Sequence, residues 1–86
     1  MARSRYTVSD LRADLEKING WCADDRIPLR LELNPRNGYQ AIDEYPVDAN
    51  GDRIGTYVNR NVCSGSSREC SQAAFAWYGA QVQRSR

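Results

Sequence analysis

The sequence predicts an α+β domain of order αβββα, in which an N-terminal helix and a C-terminal helix pack on one face of a three-stranded antiparallel meander. Three observations predict it. A capping box followed by apolar residues at helical spacing lies near the start, alternating runs separated by glycine-containing turns fill the middle, and a second capping box opens a long helical pattern at the end. The chain of 86 residues reads as one domain, 1–86, with residues 1–6 and 84–86 as loose tails.

Thr7-Val8-Ser9-Asp10 is the first capping box: the Thr7 hydroxyl accepts from the N–H three residues on, and Asp10 reaches back to the N–H of Thr7. Val8, Leu11, Leu15, Ile18 and Cys22 then recur at steps of 3 and 4, which puts them on one narrow stripe and predicts a helix over 8–23. Asp24-Asp25 forms the exit turn. Leu29, Leu31 and Leu33 alternate with Arg30, Glu32 and Asn34, so the first strand has one buried face and starts at Pro28. The second strand is expected over 39–47 and the third over 52–58, with 59–65 as a connection. For the first hairpin, a three-residue loop of Arg36, Asn37 and Gly38 pairs Leu33 with Ala41 and Leu29 with Tyr45, and requires positive φ at Gly38. For the second, Asn50-Gly51 as a two-residue turn pairs Val47 with Ile54. This register leaves Ile42 and Tyr57 on the opposite sheet face among Arg30, Glu32, Gln40, Glu44 and Arg53.

The second helix starts at the Ser66 cap, with Glu69 closing the box, and runs to about residue 83. Its apolar arc takes in Cys70, Ala74, Trp77 and Tyr78, with Phe75 and Val82 on the shoulder. The arc spans about 200°, where a helix facing a single core needs about 100°. The surplus calls for a cover, either Tyr6 with the N-terminal tail or another macromolecule.

Composition limits the function classes. With 41% hydrophobic and 27% charged residues the chain should fold, and at a formal charge of +1 it has no global field to draw it onto nucleic acid or an anionic membrane. Histidine is absent, which removes the commonest general acid and base and the usual Cys/His zinc sets. Catalysis is therefore not expected, and neither a metal nor a cofactor is. The oxygen-rich Asp48-Ala49-Asn50-Gly51-Asp52 lacks the glycine and the distal Glu of a calcium loop, and reads as a turn. Cys22, Cys63 and Cys70 form an odd set without secretory context, which implies reduced thiols in a cytoplasm. No signal peptide or membrane span is expected.

What remains is binding. The shoulder residues Phe75, Tyr78 and Val82 are the first candidate surface, since aromatic anchors favour interfaces. The run Asp43, Glu44, Asp48 and Asp52, without a cation among them until Arg53, is the second and would face a basic partner. A homodimer through the C-terminal helix is a further use of the same shoulder. The alternative class is a small nucleic-acid-binding protein using Arg3, Arg5, Arg84 and Arg86 on the tails with Arg30 and Arg53 on the sheet; direct nucleic-acid binding ranks lower.

The order Leu11-Arg12, Leu15-Glu16, Ile18-Asn19, then Asn37-Gly38-Tyr39 opening a strand, then Ser67-Arg68-Glu69 opening the last helix, resembles small accessory proteins of tailed phages and prophages. The resemblance spans most of the chain. It implies a phage-encoded inhibitor that binds a host defence complex in the host cytoplasm, as anti-CRISPR proteins bind interference complexes, the partner being a host protein or a protein–nucleic-acid complex.

Overall fold

The computed structural model describes residues 6–55 and 59–84. Its elements are α1 (Val8–Asp24), β1 (Leu29–Leu33), β2 (Gln40–Pro46), β3 (Arg60–Gly65) and α2 (Ser67–Arg84). The strands form one antiparallel sheet in the order β1-β2-β3, and both helices pack on it. The αβββα architecture is thus the one the sequence predicts.

Both capping boxes form. Thr7 N donates to Asp10 Oδ2 at 2.8 Å while Asp10 N donates to Thr7 Oγ1 at 3.2 Å. At α2, Ser66 N donates to Glu69 Oε1 at 2.9 Å and Glu69 N to Ser66 Oγ at 3.2 Å. Helix α1 ends in a Schellman motif, with Arg26 N bonded to Ala23 O and Ile27 N to Cys22 O. The residue at the left-handed position of that motif is Arg26, at φ 60, where glycine is the usual occupant. Cys22 and Ile27, brought together by the motif, both join the core with Leu11, Leu15, Ile18, Leu31, Ile42 and Trp77.

The third strand differs from expectation. It is residues 60–65, read from sequence as a connection, while residues 52–55, the described part of the expected 52–58, form no strand. Of that earlier segment, Arg53 makes only an isolated bridge to Val47, and residues 56–58, Tyr57 included, lie outside the described residues. The two hairpin loops have also exchanged lengths. At the first, Arg36 pairs with Tyr39 around Asn37-Gly38, which sets Leu33 opposite Ile42 and Leu29 opposite Pro46. Gly38 does take positive φ, at 78°. At the second, Asp48 N bonds Asp52 O and Gly51 stands at φ 85, a three-residue loop of Ala49, Asn50 and Gly51.

A one-residue change of register turns every side chain of a strand over. Ile42 and Glu44 therefore face the helices, and Ala41, Asp43 and Tyr45 face away. The physical reason lies in what covers the other face. The segment after β2 folds back so that the Arg53 guanidinium stacks on the Tyr45 ring at 4.2 Å and pairs with Glu32 at 2.9 Å. Ala41, Ile42 and Asp43 are all buried, Ile42 in the helix-side core and Asp43 under its bonds to Asn34 and Asn61, so the middle of β2 has no solvated face for alternation to mark. A bulge between Ile42 and Asp43 then admits Val62 as an extra residue of β3, which packs against the core.

Tyr6 and Arg84, read from sequence as tail residues, belong to the fold. Tyr6 packs against the core and donates its hydroxyl to Asp14, which also accepts from Ser71 Oγ at 2.7 Å, while Arg84 is the last residue of α2.

Candidate protein-interaction surface

Helices α1 and α2 lie side by side, and their contact is polar at one end and aromatic at the other. At the polar end Tyr6, Asp14 and Ser71 form a hydrogen-bonded cluster, with the Arg68 guanidinium 5.3 Å from the Tyr6 ring centroid. At the aromatic end Trp21 meets Phe75 at 5.9 Å and Tyr78 at 5.2 Å between ring centroids, both pairs tilted. The Tyr78 hydroxyl donates to Asp25, and that bond pushes its pKa up to about 12. Tyr6 thus covers the start of α2 and leaves the Phe75 shoulder uncovered.

Trp21 is the residue the sequence reading missed. It lies off the apolar stripe of α1, and the signal for it was that very misfit: a large aromatic on a helix whose core contacts were already accounted for. Trp21 and Phe75 are each 37% exposed, and together with the half-buried Tyr78 they make a contiguous aromatic surface. Val82 is half-buried and packs partly against the core. Between Glu69 and Arg84, α2 carries no charged residue at all. Its exposed positions over that stretch are Gln72, Phe75, Ala76, Gly79, Ala80 and Gln83. A solvated helix face of three turns is ordinarily charged; an uncharged one beside exposed aromatics has the composition of an interface centre. A shallow groove of about 560 Å³ runs beside it, bordered by Tyr78, Gly79, Val82 and Gln83.

No family model, curated protein or solved structure matches this chain.

The acidic run does not form one surface. Asp43 is only 5% exposed, on the face away from the helices, where it accepts from Asn34 Nδ2 at 2.7 Å and Asn61 Nδ2 at 2.9 Å, with Arg36 at 3.7 Å. Glu44 is on the helix face, accepting from Trp77 Nε1 at 2.8 Å, with Arg60 at 3.7 Å. Asp48 uses its Oδ1 to hold the N–H groups of Asn50 and Asp52 in the turn. Asp52 is exposed. Two of the four carboxylates are therefore spent inside the fold and a third on its turn.

The sheet arginines are engaged to different degrees. Arg53 is bound to Glu32, Tyr45 and Asn59, and its guanidinium is the main cause holding the Glu32 carboxyl below the usual carboxylate range. Arg30 Nη1 donates to Ile27 O and Leu29 O, both at 2.7 Å. Arg3, Arg5 and Arg86 lie outside the described residues. Among the described residues no group of three or more His, Cys, Asp or Glu could hold a metal ion, and no helix is long and apolar enough to cross a membrane.

Proposed function

We propose that the chain is a non-enzymatic protein-interaction module that docks through the outward face of α2 and the Trp21–Phe75–Tyr78 cluster. The observation that carries this reading is the uncharged stretch of α2 with two large aromatics exposed beside it. Hydration of the exposed part of those rings is unfavourable, so it is the part of the molecule that gains most from a partner. The resemblance to phage accessory proteins gives the setting: an inhibitor acting in a host cytoplasm by stoichiometric binding to a defence complex. Asp43 and Glu44 have internal partners and are left out of the docking surface, whereas Asp25 holds the Tyr78 hydroxyl at its edge.

The test uses Phe75→Asp and Trp21→Ser, both at exposed positions, with circular dichroism to confirm the fold. A partner captured by the wild-type protein should be lost with either variant, by at least about tenfold in affinity, since an aromatic hot spot is worth about 2 kcal/mol or more. Equal capture by both variants would remove the patch from consideration. Sedimentation of the wild type alone separates the occupants: a dimer dispersed by Phe75→Asp makes a second copy the partner, and a monomer makes it another protein.

A further inference from the structure

Where α1 ends, β1 begins and α2 ends, two adjoining clefts gather guanidinium groups that the fold leaves largely unspent. The first, of about 290 Å³, is lined by Arg26, Arg60 and Arg84 with Gln81 and Glu44. The second, of about 520 Å³, shares Arg26, Ile27 and Pro28 with it and adds Arg30 and Asp48, whose Oδ1 is taken by the N–H groups of Asn50 and Asp52. Among the described residues neither Arg26 nor Arg84 makes an ion pair. Arg60 makes one long contact of 3.7 Å to Glu44, whose carboxylate is turned inward onto Trp77. Among the described residues Arg30 engages the backbone through Nη1 alone, so its guanidinium is held in place with other donors to spare.

Arg26 adds an independent observation. It occupies the left-handed position of the α1 cap, at φ 60, where glycine would relieve the backbone. Residues kept in unfavourable backbone regions cluster at binding sites. The strained residue here is a cation, and it forms the wall common to both clefts.

We infer that the two clefts form one track for the sugar–phosphate backbone of a single nucleic-acid strand, Arg60 and Arg84 meeting one phosphate and Arg26 and Arg30 the next. The guanidinium fork matches phosphate oxygens. Cations spread over two contiguous clefts suit a repeating anion, where a lone anion would fill only one. Contacts to the backbone carry no base information, so binding is largely independent of sequence. With a chain charge of +1 there is no long-range attraction to add to these local contacts, and each phosphate they neutralise releases counterions, so binding weakens as salt rises.

The test is fluorescence anisotropy of a labelled oligothymidylate against the full chain at several salt concentrations. The expected result is binding at low salt that weakens with a log–log slope of about −1.4, two phosphates at roughly 0.7 each. Replacing Arg26, Arg60 and Arg84 together by Gln should weaken it at least about tenfold and flatten the slope, whereas Arg12→Gln with Lys17→Gln on α1 should leave it unchanged. Should the triple variant fail to fold, Arg84→Gln at the helix end is compared with Arg84→Lys: Gln loses affinity and Lys restores it. Wild-type anisotropy that stays flat at low salt overturns the proposal, as does undiminished binding by a folded triple variant. Saturation by inorganic phosphate without uptake of the oligonucleotide also overturns it, in favour of a single-anion pocket.

Discussion

Asn19 shows how much a single polar side chain on a helix can settle. Its Nδ2 donates to Leu31 O at 3.0 Å and its Oδ1 accepts from Leu31 N at 2.9 Å, so the carboxamide takes the place of a neighbouring strand along the outer edge of β1. Edge strands expose unpaired backbone groups that recruit other chains, and here α1 blunts the edge at its middle residue. Nothing in the spacing of Asn19 distinguishes it from a helix-ending Asn-Gly pair, which is why sequence gives its position and not its role. Asn19→Ala leaves a half-buried N–H and C=O without their partners and should cost about 1–3 kcal/mol. A urea midpoint equal to that of the wild type would show that water replaces the carboxamide without loss.

At the scale of elements, what was legible is what depends on local chemistry. Both caps formed as read, because Thr7–Asp10 and Ser66–Glu69 are closed by residues within one turn of one another. The loop lengths were not legible, because register depends on which face of β2 is covered, and that is decided by Arg53 returning across the sheet from outside the strand. Trp21 and the α2 surplus show the same division: the apolar excess is visible in sequence, and the neighbour that partly shares it is not. Gly65, at the junction of β3 and α2, joins the two kinds of information. It sits at φ 153, and a β-carbon there would stand 2.5 Å from Glu69 Oε1, the oxygen that closes the cap. The same bond, from the Ser66 N–H, is the main cause holding the Glu69 carboxyl below its usual range. Gly65→Ala should therefore open the capping box and cost about 1–2 kcal/mol, the loss of one cap with some backbone strain. In a Glu69→Ala background the collision is gone, so the same substitution should cost clearly less. Equal costs in the two backgrounds would locate the penalty in the backbone alone.

For the whole molecule, the absence of histidine meets a core with two buried thiols, and the pH dependence of stability follows from the pair of facts. Burial pushes Cys22 and Cys70 from 9.0 up to about 11, Cys70 with a further push from Cys63 beside it. The folded state thus holds these protons more tightly than the unfolded chain, so their contribution is complete below pH 9 and is lost as pH rises toward 11. Tyr78 acts in the same sense, raised from 10.0 to about 12 chiefly by its bond to Asp25, so the aromatic cluster loosens over the same alkaline limb. Glu32 and Glu69 act in the opposite sense. Their carboxyls are lowered from 4.5, by Arg53 first and by the Ser66 N–H first, so their contribution is present above pH 4.5 and lost as pH falls below it. With no imidazole to titrate between, urea midpoints should form a plateau from about pH 5 to about pH 9 with a fall on each side. Cys70→Ala should shallow the alkaline fall and leave the acid one untouched. A midpoint still undiminished near pH 11 would mean that the thiols of the folded protein are open to solvent, and the core built around Cys22 and Cys70 would have to be drawn differently.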